Sequence, residues 1–406
     1  MSTTSFILKK FFQPDNKMLV SRIVWVAVLT VVLSTMIVFL AFAVTFGFKQ
    51  EVAKQVYGIG GHIRISAYQI HENQAATPMD INDSIIEYAV NQNFVKEIYP
   101  FVNKLGLLKT DFYNQGVNFK GVEDSSYFHF LGNKITEGKI PAFTENIYSN
   151  EVLLSKTVAT KLELKLNEKI IVYFIDHNMP RPRQFVISGI FQTGISQFDD
   201  SFILGDIKNL QALNAWEKSE VGGLEVFVNT NDVDKITAYA RQINEKLPYE
   251  CYAMPITSIY YDIFNWLSLM DMNAFIVLLV ISIVASISIM SIFIINIIEK
   301  KQHISLFKAL GMPKNTLKLI FSAETFILTL LGMIIGNIIA VSICLLQDKF
   351  HFLKLDSNIY YIDYVPVTID WNIFLIVNIA LVFVSILAIS IQRFTINKVV
   401  SSKKYD

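Results

Sequence analysis

The chain has 406 residues, of which 52% are hydrophobic, and its 35 basic side chains balance 35 acidic ones. That balance lacks the basic footprint of a nucleic-acid binder, so no nucleic-acid partner is expected. Two cysteines, Cys251 and Cys344, cannot build a disulfide framework, so any exported part must be held by its own core.

Residues 1–22 form a tail with Lys9, Lys10, Lys17 and Arg22 against Asp15 alone. The apolar run over 23–48 has about the 20 residues a helix needs to cross a bilayer's hydrocarbon core. Ala41-Phe42-Ala43 has the form of a signal-peptidase site. The run is nevertheless too long for a signal h-region and no lipobox cysteine follows, so it reads as an uncleaved anchor.

Residues 49–270 are extensive enough to fold alone. Their two ends, 49–123 and 223–258, read as similar βαβ halves. In the first, His62–Ser66 alternates as a half-buried strand, and Asp80 or Asn82 caps a helix over Ile81–Gln92. Ile81, Ile85, Ile86 and Ala89 share its inner face, and Phe94–Phe101 and Lys104–Thr110 read as two strands. In the second, Leu224–Val228 is a strand and Asn231 or Asp232 caps a helix over Val233–Leu247. Pro248 ends that helix and Glu250–Met254 is a strand. Two such units sharing a sheet make a ferredoxin-like split arrangement. The insert at 124–222 reads as mostly β, with short helices at Lys156–Leu162 and Ile207–Leu213. Its strands Lys169–Phe174 and Gln184–Phe191 are joined by the turn-rich Asp176–Arg183.

Three more apolar runs, 271–298, 319–346 and 371–392, crowd the C-terminal third. The expected fold class is an α-helical membrane protein with four transmembrane helices, one and then three, plus an α+β domain outside. The 299–318 link carries Lys300, Lys301, Lys308, Lys314 and Lys318 against Glu299. The 393–406 tail carries Arg393, Lys398, Lys403 and Lys404 against Asp406. The 347–370 link has only Lys349 and Lys354 against Asp348, Asp356, Asp363 and Asp370. Positive charge stays cytoplasmic in short loops, so both tails and the 299–318 link are inside and 49–270 is outside.

Several stretches carry a family resemblance. They are Gly47-Phe48 with Gly58–Ile63, Gly189–Gly194 with Asp199-Asp200, Ile304–Gly311, Glu324 with Gly332 and Gly336, and Tyr361–Asp363 with Pro366-Val367. Together they resemble the LolC/LolE lipoprotein-releasing permeases, within the MacB/FtsX group of ABC transporter membrane subunits. Two positions depart: His303 stands where the family carries a carboxylate and Ser305 where it carries glycine. The resemblance implies a Gram-negative inner-membrane location with a periplasmic domain. It also implies a LolD-like ATPase dimer that binds ATP and Mg, a second permease subunit, a LolA-like periplasmic chaperone, and acylated lipoprotein as substrate. This chain would bind no cofactor or metal itself.

The 299–310 segment can form a short amphipathic helix, with Ile304, Phe307 and Leu310 apolar and Lys301 and Lys308 opposite, Ala309 between them and Gly311 as its stop. The resemblance implies that this helix couples to the ATPase; on residues alone a basic loop on anionic lipid is the favoured reading. Phe46, Phe48, Ile263, Phe264, Trp266, Leu267, Met270 and Met272 form a collar where chain and membrane meet, either handling acyl chains or serving as an interfacial belt. Met179, Pro180, Arg181, Pro182 and Arg183 stand where the resemblance places a chaperone-capturing hook, and an ordinary hairpin turn is the alternative. Gly332 and Gly336 suit close helix packing in the membrane, as does bonding by Asn337 and Asn378.

No Walker A string, His-Glu-x-x-His helix or Gly-x-Ser-x-Gly elbow occurs, so the chain is not expected to be an enzyme. An efflux permease like MacB and a non-transporting transducer like FtsX remain as alternatives. The topology is checked by adding protease to intact spheroplasts: it should cut within 49–270 and spare both termini, and the reverse pattern would sink the assignment.

Overall fold

The computed structural model describes residues 22–68, 77–110, 112–132, 134–143, 148–176, 179–299, 306, 307, 309–355 and 364–401. The chain divides into two compact units. One comprises Met1–Lys49, Leu267–Lys354 and Tyr364–Asp406; the other comprises Gln50–Trp266 and Leu355–Asp363.

In chain order, α1 (Arg22–Gly60) leads to β1 (Ile63–Ala67), β2 (Met79–Asp80), α2 (Ser84–Val90), β3 (Val95–Lys109) and β4 (Asn114–Val122). A 3₁₀ helix over Ser125–Leu131 precedes β5 (Ile135–Gly138), β6 (Glu151–Ser155), α3 (Lys156–Lys161), β7 (Lys169–Asp176) and β8 (Met179–Phe191). Then follow α4 (Ser196–Asp199), β9 (Phe202–Asp206), α5 (Ile207–Asn214), β10 (Glu220–Val221), β11 (Gly223–Val228), α6 (Val233–Asn244), β12 (Cys251–Pro255) and α7 (Ile256–Ile259). The long helices α8 (Tyr261–Glu299), α9 (Lys314–Phe350) and α10 (Trp371–Ser401) complete the chain.

One mixed sheet organises the second unit, in the order β12-β1-β11-β3-β4-β9-β6-β8-β5, with β7 pairing β3 and β8. Its first four strands interleave the two βαβ halves: β11 lies antiparallel between β1 and β3, and β12 flanks β1. This is the split βαβ arrangement the two halves predict. Ile63 and Ile65 of β1 face the core, joined by Ile86, Ala89 and Val90 of α2 and by Ile236, Ala240 and Ile243 of α6. Arg64 and Ser66, alternating with them, project to the other face.

Several boundaries differ from the sequence expectation. Strand β3 is unbroken where two strands are expected. Residues 95–101 bond β11, 101–109 bond β4, and 106–109 also bond β7, so ladder partners continue through Val102 and Asn103. The cap of α2 is Asp83, which accepts from the Ile85 N–H, and not Asp80 or Asn82. Asp80 is held in β2, opposite Glu220. Ile85 is consequently exposed rather than inward. Asp232 caps α6, accepting from the N–H groups of Asp234 and Lys235. Helix α1 continues past residue 48 to Gly60, because the segment holds no breaker and buries Val52, Val56 and Tyr57.

In the first unit, helix contacts rest on missing side chains. A Cβ on Gly336 would lie 2.7 Å from the Val32 carbonyl oxygen, and one on Gly332 would lie 3.1 Å from Val31 Cγ1, so α9 approaches α1 at backbone distance. A Cβ on Gly47 would lie 2.6 Å from the Pro366 carbonyl oxygen. The 364–370 segment is further held by Thr368 N–H donating to Ala43 O at 3.1 Å and by buried Gln347, whose Nε2 donates to Val365 O at 2.9 Å. Asn337 Nδ2 donates to Asn378 Oδ1 at 2.6 Å, joining α9 to α10.

Three helical stretches are long and apolar enough to cross a membrane, Val28–Gly60, Tyr261–Ser291 and Asn315–Phe350. Among the described residues the apolar stretch of α10, Phe374–Ser390, is shorter. Replacing Gly336 by Leu should lower the Tm of the detergent-solubilised protein, whereas Ile335→Leu on the same helix should leave it near wild type. Equal effects would argue against backbone-distance packing.

Candidate functional site

The exit from α1 into β1 gathers a buried ion pair and a buried histidine of the second unit. Gly61, at φ +68°, ends the helix in the left-handed conformation. A Cβ on Gly60 would lie 2.6 Å from Ile256 Cδ1, and one on Gly58 would lie 2.8 Å from the Phe130 ring. The glycine cluster therefore lets the helix end sink into the domain. His62 follows, stacked on Tyr57 with ring centroids 4.5 Å apart. Its Nδ1 accepts from the Val228 N–H at 3.3 Å, so Nε2 carries the proton and donates to Asn231 Oδ1 at 3.0 Å. Burial lowers the His62 pKa, and the imidazole is neutral.

The last turn of an α-helix leaves carbonyls without partners. Here the Ile59 carbonyl takes the Lys120 ammonium at 2.5 Å and also accepts from the Tyr127 hydroxyl. Lys120 Nζ lies 2.7 Å from Glu225 Oε1 and 2.8 Å from Oε2. Tyr127 OH accepts from Lys120 Nζ at 2.5 Å and shares its one proton between the Ile59 carbonyl and Glu225 Oε2, the latter 2.9 Å away. Arg64 Nη2 reaches Glu225 Oε1 at 3.2 Å. Lys120 and Glu225 are 1% and 0% exposed, so this is a fully desolvated pair. Burial depresses the Lys120 ammonium to about 8, against the pull of Glu225, so it remains charged at neutral pH. A cation at a helix C-terminus also meets the negative end of the helix dipole. Four separate segments, the ends of α1, β4, β11 and the 3₁₀ helix, are thereby joined through one ammonium and one carboxylate.

The residues singled out from sequence lie elsewhere. Of the 299–311 segment, Lys301, Ile304 and Lys308 fall outside the described residues. Phe307 is half-buried, Ala309 and Leu310 are exposed, and Gly311 has φ +82°. Met312 N–H donates to Phe307 O at 3.0 Å, the six-to-one bond of a Schellman stop, so Gly311 ends this turn as expected. In the collar, Ile263 and Phe264 pack on the second unit's core, Phe264 lying 5.7 Å from the Tyr57 ring. Leu267 is buried, Met270 half-buried, and Trp266 and Met272 exposed. Phe46 and Phe48 on α1 are half-buried, Phe46 stacking on Phe42.

The expected turn at 176–183 is a correction. Met179–Arg183 belong to β8, which pairs β7 from Asp176↔Met179 onward. Pro180 and Pro182 fit there because this end of β8 has β7 on one side only, and a prolyl residue is tolerated on a strand edge. Arg181 stays exposed while its Nη1 donates to Leu213 O at 3.2 Å. What this end does present is an apolar fringe. Leu105 on β3, Phe112 beyond it, and Ile175 and Met179 at the β7–β8 tip are 75%, 88%, 69% and 71% exposed. The β3–β7 pairing, with Leu107 opposite Tyr173, sets the two hairpins side by side. Sequence reasoning missed both this fringe and the buried junction. Lys120 sits in an alternating strand whose pattern does not say that its face is covered.

Two family descriptions cover most of the chain: the MacB-like periplasmic core domain matches residues 24–246, and the FtsX-like permease C-terminal domain matches 275–399. The chain belongs to the family of permeases with a MacB-like core domain. It is similar to the lipoprotein-releasing system transmembrane protein LolC of Neisseria meningitidis, at 23% identity over 367 residues and 86% of each chain. LolE of Haemophilus influenzae is 20% identical over 408 residues, covering 96% of this chain and 95% of its own. The solved periplasmic region of MacB from Actinobacillus actinomycetemcomitans aligns at 15% identity with a TM-score of 0.35, over 52% of this chain and 96% of that one. In this permease the β1-to-β4 stretch of the junction falls within the core-domain match, and the α9 glycines fall within the FtsX-like match.

Glu225→Gln should leave the Lys120 ammonium buried without a counter-charge, a change that typically costs ~3–5 kcal/mol. Thermal unfolding of the full chain measures it, and a Tm within a degree or two of wild type would refute the weight given to this pair.

Proposed function

We propose that this chain is the membrane subunit of an ATP-driven complex that releases acylated lipoproteins from a Gram-negative inner membrane to a periplasmic carrier. The observation that carries the reading is the similarity to LolC and LolE over most of both chains, on a family with an FtsX-like permease end. In this reading α10 is the fourth span, the sheet domain is periplasmic, and the chain catalyses nothing itself. ATP and Mg belong to a LolD-like ATPase dimer, and a second permease subunit completes the complex.

Physical chemistry constrains the mechanism. Exposing a triacyl anchor of about 45 CH₂ groups to water costs on the order of 36 kcal/mol at ~0.8 kcal/mol each. Release must therefore pass the chains from bilayer to an apolar surface and on to a carrier, never through bulk water. The collar residues Phe264 and Met270 receive the acyl chains. The exposed apolar fringe at Leu105, Phe112, Ile175 and Met179, together with the exposed 179–183 strand end that Met179 belongs to, is the docking surface for a LolA-like carrier. The ATPase grips the turn ending at Gly311. Its motion reaches the sheet through α1, an unbroken helix whose last-turn Ile59 carbonyl is clamped by Lys120.

A photo-crosslinker placed at Phe264 or Met270 should capture acylated lipoprotein in membranes containing the ATPase. Reversing Lys301 and Lys308 to Glu should preserve membrane insertion and ATP hydrolysis while abolishing release. Normal release by that variant would remove the coupling role, and capture of a cell-wall hydrolase instead of lipoprotein would select an FtsX-like transducer.

A further inference from the structure

Strand β12 (Cys251–Pro255) ends the sheet, so its side away from β1 is an edge. A free edge carries backbone N–H and C=O groups on which another strand can pair. The ladder says which groups face outward. Tyr68 N–H donates to Glu250 O at 2.8 Å and Ile256 N–H donates to His62 O at 2.9 Å, so the even-numbered residues of this run bond β1. Cys251, Ala253 and Pro255 therefore turn their backbone groups outward.

Each outward donor is taken or missing. Cys251 N–H donates to Pro248 O at 2.9 Å, and Pro255 has no N–H. Ala253 is met by the side chain of Asn244, the last residue of α6. Its N–H donates to Asn244 Oδ1 at 2.6 Å, and its carbonyl accepts from Asn244 Nδ2 at 2.7 Å. A primary amide offers an acceptor and a donor side by side, as a residue of a neighbouring strand does. Asn244 is exposed, so its side chain stands between Ala253 and solvent. Anchoring α6 does not require this contact, since Ile236, Ala240 and Ile243 already pack that helix on the core.

Other margins of the sheet are blunted by comparable means. Ile187 N–H donates to Glu168 O toward β7 and Val186 N–H donates to Asn150 O on the opposite side, so even-numbered positions of β8 face away from β7. Pro180 and Pro182 thus remove donors from the free side of that strand end. Strand β5, at the far end of the order, has 4 residues and a register break between Ile135 and Glu137.

The strand excluded from β12 follows from symmetry. Two β12 strands paired antiparallel about a two-fold axis set Ala253 opposite Ala253, and each gives the other the donor and acceptor that Asn244 supplies. We propose that Asn244 is an autoinhibitory contact that closes β12 against strand addition by a second copy of this chain. The device is independent of the transport reading and of the carrier-docking fringe.

Light scattering of the full chain in detergent, across a dilution series, tests it. At the concentrated end Asn244→Ala should exceed the wild-type mass about twofold, and dilution should reverse the difference. Asn244→Asp loses the donor but sets a charge on the edge, and should keep the wild-type mass. The same pairing brings Cys251 opposite position 255 of the other copy. Pro255→Cys combined with Asn244→Ala should therefore form an intermolecular 251–255 disulfide that Pro255→Cys alone does not. Where Asn244→Ala does not fold, Asn244→Ser carries the same test. Wild-type mass for the amide-free variant overturns the proposal, as does equal association of Asn244→Asp or association without that disulfide.

Discussion

A lysine ammonium with no access to water cannot stay charged in a protein interior unless something repays its lost hydration. Lys120 is repaid from two directions, by the carboxylate of Glu225 and by the orphan carbonyl at the end of α1. The demand is mutual, since the helix end is itself a partial negative charge buried in the core. Strand β1 can follow α1 immediately, through Gly61 and His62, because this exchange satisfies the helix terminus without solvent. The position of β1, and with it the order of the split sheet, depends on that arrangement.

The same logic, with backbone in place of charge, holds the membrane-embedded unit. Lipid tails give helices no hydrophobic reason to associate, so packing and interhelical hydrogen bonds must do it. Gly47, Gly332 and Gly336 each stand where a Cβ would come closer to a carbonyl oxygen or side chain of another segment than van der Waals contact allows. The residues that carry the family resemblance, Gly47 and Pro366, turn out to touch each other. A motif split across more than three hundred positions is one contact in space.

Much of the architecture was legible along the chain. The two βαβ halves were readable because alternation in β1 and β11 and the 3.6-residue period in α6 are local properties, and Asp232 capped as its position suggests. Misreadings fell where a distant partner overrode local preference. Asp80 could cap a helix, but pairing with Glu220 took its backbone into a strand. Pro180 and Pro182 read as a turn, but β7 offers an edge on which prolines are tolerated. Residues 179–183 accordingly form an exposed strand end rather than a loop, and the fringe at Leu105 and Phe112 was not readable from local pattern.

The sequence by itself determined three long apolar helices, the two βαβ halves, the Asp232 cap and the stop at Gly311. These depend on hydropathy, charge and backbone freedom, which act over a few residues at a time. Only the tertiary structure decided that Lys120, Glu225, Tyr127 and Arg64 form one buried group, because strand alternation says which residues share a face and not what covers it. Whether a charge on such a face meets water or a helix terminus is settled by long-range packing, and in this protein the helix terminus is what it meets.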